Sequence, residues 1–128
     1  MEGQSPAGEQ WEQLPAAGQH ISARSGIGEV LFNGRIYVFG GYDQTAFQDL
    51  CAYDIKTRTW SQVEQTGEIP SARTSHSLVL DEENALIYCI FGSGSVFGHS
   101  NLNDFYVFDI LLRKWSRLRF TGDAISGR

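Results

Sequence analysis

The stretch DLCAYDIKTRTWSQV at residues 49–63 decides the fold, because DFYVFDILLRKWSRL at residues 104–118 repeats its pattern 55 positions later. Each copy has an apolar run, a short break and a tryptophan. The tryptophans are Trp60 and Trp115, and Trp11 begins a third copy upstream. In all three copies an aliphatic residue, a glycine and an arginine follow the tryptophan after 3, 7 and 13 residues. Fixed landmarks with a period near 50 residues indicate repeated structural units.

Each unit predicts four β-strands, and no segment has a convincing helical period. The predicted strands are 26–31, 36–39, 50–55 and 60–63 in the first unit, and 75–80, 86–91, 105–110 and 115–118 in the second. Asn33-Gly34 predicts a tight hairpin, since both central residues of a type I′ turn need positive φ. The second and third strands are apolar on both faces and need cover on both sides. A covered four-stranded sheet repeated about every 50 residues is typical of a propeller blade.

These landmarks resemble the kelch repeat, in which paired glycines follow an apolar strand and an aromatic residue and a tryptophan come later. The matching residues are Gly40, Gly41, Tyr53 and Trp60 in the first unit and Gly92, Phe108 and Trp115 in the second. The segment 66–76 resembles the connection between kelch blades. Two positions depart from the pattern: Ser93 takes the place of the second glycine, and Ile27 is the counterpart of His76.

The resemblance, which covers residues 11–128, implies an all-β kelch-type propeller segment with two four-stranded antiparallel blades and a leading strand. We expect a flexible tail at 1–10, a strand of an adjacent or closing blade at 11–18, the first blade at 19–72, and the second blade with the start of a third at 73–128. Propellers close with 4–8 blades. The ring is therefore expected to be incomplete and the chain to be a fragment or short isoform. Its exposed blade flanks predict self-association.

Composition excludes several classes of function. The net charge of −5 disfavours binding to nucleic acid or to an anionic membrane surface. No apolar run approaches the ~20 residues that span a bilayer, and the first ten residues do not resemble a secretory signal. Cys51 and Cys89 lie in apolar runs and are expected to be buried thiols in a reducing compartment. The predicted location is the cytoplasm, with the nucleus as a further possibility.

No local motif predicts catalysis, a cofactor or a metal. Residues 92–98, GSGSVFG, match a dinucleotide fingerprint only in part, and a strand follows them where a helix N-terminus would be needed. His20, His76 and His99 lack the spacing of metal ligands. The basic segment 113–120 is interpreted as a solvated edge strand and not as a nucleic-acid contact.

The repeated arginines Arg24, Arg73 and Arg128 predict scaffold contacts, because a ligand site rarely recurs in every blade. An arginine can join neighbouring blades through bidentate hydrogen bonds. The repeated Asp54 and Asp109 are interpreted as partners of these arginines or as turn formers.

The long, dissimilar connections predict where a partner binds, since length and variety mark the functional end of a scaffold. Tyr42, Phe47, Phe97 and His99 are the candidate anchors, because aromatic residues dominate binding hot spots. The alternative is that Phe47 and Phe97 pack onto the adjacent blade. Leu111 and Leu112 form a weaker candidate at the opposite end.

The kelch resemblance implies a non-catalytic protein-interaction scaffold or adaptor, with a protein partner and no cofactor. Kelch relatives act in ubiquitin ligases, in the regulation of small GTPases and trafficking, and on the cytoskeleton. The alternative is a fragment of a metal-dependent propeller enzyme, of the oxidase or specifier type, whose metal ligands lie in missing blades.

Overall fold

The computed structural model describes residues 17–18, 20–94 and 101–119. Within these residues every regular element is a β-strand. The ten strands are β1 Ala17–Gly18, β2 Gly28–Phe32, β3 Arg35–Phe39, β4 Leu50–Asp54, β5 Thr59–Gln62, β6 Thr66–Gly67, β7 Ser77–Asp81, β8 Leu86–Ser93, β9 Asn101–Asp109 and β10 Lys114–Arg117. The all-β prediction is therefore confirmed.

The strands form two open sheets, with the orders β1-β5-β4-β3-β2 and β6-β10-β9-β8-β7. We call them blade 1 and blade 2. In each blade four antiparallel strands follow one another in sequence order, as predicted, and a two-residue strand adds a parallel pair at the outer edge. The strand predicted at 11–18 includes β1, whereas β6 was not predicted, because two residues are too short to show a period of two.

The fifth strand links successive units. After β5 the chain leaves blade 1, and β6 pairs with β10 of blade 2, so that Trp115 lies opposite Gly67. At the start of the chain Gly18 pairs in the same way with Trp60 of blade 1. The segment 11–18 was predicted to belong to an adjacent or closing blade, yet its two described residues join blade 1. The rest of that predicted strand, 11–16, lies outside the described residues.

Turn chemistry fixes the hairpins. Asn33 and Gly34 have φ of 52° and 76°, as a type I′ turn requires, and the adjacent Phe32 and Arg35 form the first pair of the β2–β3 ladder. The β4–β5 turn is held by Asp54, whose carboxylate accepts a hydrogen bond from the Thr57 amide at 3.0 Å. The interpretation of Asp54 as a turn former is thus confirmed.

The structure corrects the alignment of the glycine pairs. Gly40-Gly41 was matched with Gly92-Ser93, but the backbone equivalent is Phe91-Gly92. The first pair has φ of 73° and 108°, and the second has 57° and 113°. A phenylalanine with positive φ is uncommon because its Cβ crowds the backbone. The sequence alignment therefore matched Gly40 with Gly92, whereas the residue with the conformation of Gly40 is Phe91.

The hydrophobic core lies between the two blades. Phe39 of blade 1 packs against Trp115 of blade 2 with ring centroids 5.3 Å apart, and Phe108 lies 4.9 Å from the same indole. The buried members of the core are Val30, Tyr37, Phe39, Leu50, Ala52, Ala85, Ile87, Cys89, Tyr106, Phe108, Ile110 and Trp115. One face of each sheet therefore supplies the core, and this packing fixes how the connecting loops are placed at either end.

Candidate functional site

Two sets of connections lie at the two ends of the blades, as the antiparallel strand order requires. One end carries the β3–β4 loop at 40–49 and the connection between the blades at 63–76, and we call it the loop face. The other end carries the short turns, including 55–58 and 82–85, and we call it the turn face. The long connections therefore lie together at one end.

Arg73 is buried under the loop face of blade 2 and fixes the backbone there. Its guanidinium donates to both carboxylate oxygens of Asp104, at 2.6 and 3.0 Å, and to the Phe91 carbonyl at 3.0 Å. Its Nε–H and Nη2 also donate to the carbonyl and the hydroxyl of Ser71. The side chain has no exposed surface. The guanidinium therefore holds the end of β8, at Phe91, against the first half of β9, at Asp104.

Arg24 repeats the same arrangement in blade 1. It donates to Asp49 at 2.6 Å, to the Gly40 carbonyl at 3.3 Å, and to the carbonyl and hydroxyl of Ser22. The Phe47 ring lies across the guanidinium, with its centroid 4.0 Å from the Arg24 carbon Cζ. Each arginine thus clamps the two ends of the β3–β4 loop, or of its equivalent in blade 2, to each other.

The arginine partners differ from those predicted. Asp54 and Asp109 act in turns, and Asp109 accepts hydrogen bonds from the amides of Leu111 and Leu112. The arginine partners are Asp49 and Asp104, the first residues of the two stretches that reveal the repeat. That shared first position was the signal available in the sequence. The residue type alone could not choose between the two aspartates of each stretch.

The arginines were predicted to join neighbouring blades, but the side chains of Arg24 and Arg73 do not, and Arg128 lies outside the described residues. Main-chain hydrogen bonds connect the blades here. The Gly41 amide donates to the Arg73 carbonyl at 2.9 Å, and the Arg73 amide donates to the Phe47 carbonyl at 3.1 Å. The amide side chain of Gln48 donates to the Pro70 carbonyl at 2.8 Å. These bonds tie the β3–β4 loop of blade 1 to the connection leading into blade 2.

Above this fixed base the loop is exposed. Tyr42 exchanges two backbone hydrogen bonds with Ser25, at 3.0 and 2.8 Å, and residues 43–45 form the exposed tip. Beside Tyr42 lies a groove of about 400 Å³ between the blades. Its lining is Ser25, Gly26, Tyr42, Thr74 and Ser75. The lining is rich in hydroxyl groups, which can donate and accept hydrogen bonds.

The four candidate anchors do not share one environment. Tyr42 borders the groove, whereas Phe47 is half-buried against Arg24 within its own blade. Phe97 and His99 lie outside the described residues. The structure therefore places Tyr42 beside a groove and Phe47 in a packing contact. The alternative prediction was that Phe47 packs onto the adjacent blade. Phe47 does pack against the protein, but against Arg24 of its own blade.

His76 is buried at the junction of the blades. Its Nε2 lies 2.8 Å from the Phe39 carbonyl, and its Nδ1 is buried without a hydrogen-bond partner among the described residues. Burial lowers the pKa of His76 to about 4, and the nearby Arg73 charge acts in the same direction. The ring is therefore neutral at physiological pH and belongs to the packing between the blades.

The two thiols are equally poor candidates for chemistry. Burial raises the pKa of Cys51 to about 11 and that of Cys89 to about 12, so neither forms appreciable thiolate near neutral pH. In the described ranges no three or more His, Cys, Asp or Glu residues group as metal ligands would. The same ranges contain no helix with the length and apolar character to cross a bilayer.

The turn face has its own cleft, of about 610 Å³, between the blades. Arg35 and Arg113 line it together with Asp54, Tyr37 and Leu111. The two arginines are held only loosely by carboxylates, with Arg35 3.7 Å from Asp54. Leu111 and its neighbour Leu112, the weaker candidate for partner binding, are largely exposed at this end.

Comparisons with known proteins agree with this architecture. The model of the KLHDC2/KLHL20/DRC7 Kelch-repeats domain matches residues 5–128. Kelch domain-containing protein 10 of Xenopus tropicalis is 37% identical over 113 residues, which cover 78% of this chain and 27% of that protein. The Homo sapiens protein of the same name is 35% identical, over 78% of this chain and 25% of its own length.

A more distant relative has a different domain in its name. Acyl-CoA-binding domain-containing protein 4 of Arabidopsis thaliana is 31% identical over 121 residues, which cover 92% of this chain and 17% of that protein. The chain thus spans 27% or less of the length of these curated relatives. The family model covers almost the whole chain, and the two open sheets carry its repeated landmarks, so the chain belongs to the kelch-repeat family.

Proposed function

We propose that this chain is a non-catalytic protein-interaction scaffold whose protein partner binds the loop face. The observation that carries the proposal is the hydroxyl-lined groove of about 400 Å³ beside Tyr42. It lies between loops whose bases are fixed by Arg24 and Arg73. A surface that is already ordered loses less conformational entropy on binding than a mobile one.

The chemistry of the groove suits a peptide segment. The Ser25 and Ser75 hydroxyls can exchange hydrogen bonds with a peptide main chain, and the Tyr42 ring offers apolar contact with a polar tip. Among the described residues that line the groove, none carries a carboxylate or a cationic group. The proposed partner therefore presents an extended, largely uncharged segment to this groove, with further contacts to the loop tip at 43–45.

Alanine variants at the loop face test the proposal. Peptides are first selected for binding to the chain from a displayed random library, and their affinity is then measured for each variant. We expect Tyr42→Ala to weaken binding at least tenfold while the melting temperature stays unchanged. Leu112→Ala, at the turn face, is the control and is expected to leave affinity unchanged.

Phe47 requires a separate measurement, because its ring covers Arg24 at 4.0 Å. We expect Phe47→Ala to lower the melting temperature as well as the affinity, which would make it a support for the loop and not an anchor. Phe97→Ala and His99→Ala complete the set of candidate anchors. Selected peptides whose affinity depends on Leu112 and not on Tyr42 would place the binding site at the turn face and overturn the proposal.

The adaptor role and a cytoplasmic or nuclear location are part of the same proposal, and the kelch family supports the scaffold on which they depend. The metal-dependent enzyme remains the alternative. Metal analysis of the full-length protein tests it, since stoichiometric iron or copper retained through purification would favour the enzyme over the scaffold.

A further inference from the structure

The arginines of the turn-face cleft differ from those of the loop face. Each loop-face arginine has a carboxylate oxygen at 2.6 Å. In the cleft, Arg35 lies 3.7 Å from Asp54, and Arg113 lies 3.9 Å from Glu64. Both distances are longer than a hydrogen bond, and both arginine side chains are about half exposed. Ion pairs of this kind contribute little to stability, so the two guanidiniums keep donors for a ligand.

Arg113 also occupies an unfavourable backbone position. Its φ is 57°, in the left-handed region that glycine and asparagine tolerate better than a long side chain does. Arg58 has the equivalent position in the β4–β5 turn of blade 1, with φ of 59°. The described lining of the cleft includes Arg113 and not Arg58. The two arginines therefore match in charge and backbone and differ in their access to the cleft.

The cleft combines its cations with hydroxyl groups and apolar surface. It has a volume of about 610 Å³, with Arg35 on strand β3 of blade 1 and Arg113 in the β9–β10 turn of blade 2. Among the other residues that line it, Tyr37 and Ser61 carry hydroxyl groups, and Phe32, Val63 and Ile110 are apolar. The cleft therefore suits a ligand that has an anionic group attached to apolar parts.

A phosphate group fits these charges better than a carboxylate does. One guanidinium satisfies both oxygens of a carboxylate, whereas the three peripheral oxygens of a phosphate can accept hydrogen bonds from two arginines. The described lining carries two cationic side chains and one carboxylate, that of Asp54. Its net attraction for an anion therefore grows with the charge of the anion, which is roughly −1.5 to −2 for a phosphorylated side chain at neutral pH.

We propose that the turn-face cleft binds a peptide segment with a phosphorylated side chain, whose phosphate is held by both Arg35 and Arg113. The cleft is far larger than a phosphate alone requires, and its apolar lining suits the residues beside the phosphate. The ligand is therefore a phosphopeptide of a partner protein and not the free ion. This site lies at the opposite end of the blades from the groove beside Tyr42, and it does not rest on the proposed function.

Fluorescence anisotropy of the chain with labelled degenerate peptides tests the proposal. The peptide sets have a central phosphoserine, phosphotyrosine, glutamate or serine and are otherwise identical in composition. We expect at least one phosphorylated set to bind. The glutamate and serine sets should bind at least about tenfold more weakly, because they cannot accept from both arginines with a doubly charged group.

Arg113→Asn is the most informative variant, because asparagine tolerates positive φ. We expect it to raise the dissociation constant of the phosphopeptides roughly tenfold or more, while the melting temperature stays unchanged or rises. Arg58→Asn is the matched control, since it removes the same charge from the equivalent turn, and it should leave the affinity nearly unchanged. Arg113→Gln, which changes only the side chain's charge and length, replaces the asparagine variant if that variant unfolds.

Two further variants test the other charges of the cleft. Arg35→Gln should weaken phosphopeptide binding as Arg113→Asn does. Asp54→Asn removes the repelling carboxylate but keeps an oxygen that can accept from the Thr57 amide. It should therefore tighten binding, an effect that a purely structural role of Asp54 would not produce.

Several outcomes overturn the proposal. Absence of binding, or a glutamate set that binds as tightly as the phosphorylated sets, would exclude recognition of phosphate. Displacement of the peptides by inorganic phosphate at an equal concentration would show a site for the free ion. Equal weakening by Arg58→Asn and Arg113→Asn would show attraction by the turn face as a whole. Binding that is lost in Tyr42→Ala but kept in Arg113→Asn would place the peptides at the loop face, and the proposed function would survive.

Discussion

Arg73 and Asp104 form a bidentate ion pair, with Nη1 2.6 Å from Oδ1 and Nη2 3.0 Å from Oδ2, and the arginine side chain is wholly buried. The pair connects the end of the inter-blade connection to strand β9 of blade 2. A buried cation of this kind depends on its partner, because removing the carboxylate leaves an uncompensated charge away from water. The fixed loop face depends on this pair.

We predict that Asp104→Asn lowers the free energy of unfolding by about 3–5 kcal/mol. The matched control is Asp49→Asn in blade 1, where the carboxylate partner of Arg24 is about a quarter exposed and water can replace part of the lost interaction. That variant should lose about 1.5–3 kcal/mol. Urea denaturation near neutral pH measures both. Equal losses would show that burial does not set the strength of the pair.

We predict that Gly40→Ala is more destabilising than Gly34→Ala. Both glycines have positive φ, of 73° and 76°, so each substitution carries a similar backbone strain of about 1–2 kcal/mol. At Gly34 an added Cβ meets nothing within 4 Å, whereas at Gly40 it would lie 2.6 Å from the Arg73 carbonyl oxygen. Gly40→Ala should therefore lower the free energy of unfolding by a further ~1–3 kcal/mol, as measured by urea denaturation. Indistinguishable losses would contradict a tight contact at Gly40.

Much of the fold could be predicted because its signals are local or repeated. Asn33-Gly34 determines a hairpin by its own backbone preference, and the spacing of Trp60 and Trp115 reveals the unit. The strand β6, and the pairing of β1 with blade 1, escaped prediction because the neighbouring strands β10 and β5 set them. Tertiary context, and not local sequence, creates such strands.

The candidate site was harder to predict than the fold. The arginine repeat identified Arg24 and Arg73 as scaffold residues, but Asp49 could be chosen over Asp54 only from its position at the end of the loop. Phe91 has the backbone conformation of Gly40, which no propensity would suggest for a bulky side chain. The groove beside Tyr42 arises from the distance between two blades, and composition carries no information about that distance.

We predict that Cys51 and Cys89 do not react with iodoacetamide in the folded chain at about pH 8. Burial raises the pKa of the two thiols to about 11 and about 12, so roughly one thousandth or less of either is thiolate at that pH. Thr45→Cys, at the exposed loop tip, provides a reactive control in the same molecule. Mass spectrometry should find one modification in the folded variant and three in urea. Rapid labelling of Cys89 without denaturant would show that the blade interface opens.

The last prediction concerns the dependence of stability on pH. His76 has a pKa of about 4 in the folded chain against 6.5 when unfolded, chiefly because burial disfavours the charged ring. Between these values the unfolded state binds more protons than the folded state, so stability rises with pH across this window. The contribution of neutral His76 is complete above pH 6.5 and is lost progressively as the pH falls towards 4. Its upper limit is about 3 kcal/mol.

We expect His76→Gln to flatten this dependence, because glutamine can still donate a hydrogen bond to the Phe39 carbonyl but does not titrate. Aspartates and glutamates elsewhere titrate in both proteins, so the informative quantity is the difference between wild type and variant. Urea denaturation at a series of pH values should show the two proteins diverging above pH 4 and keeping a constant difference above pH 6.5. Parallel curves across the whole range would mean that His76 is not buried as a neutral ring between the blades.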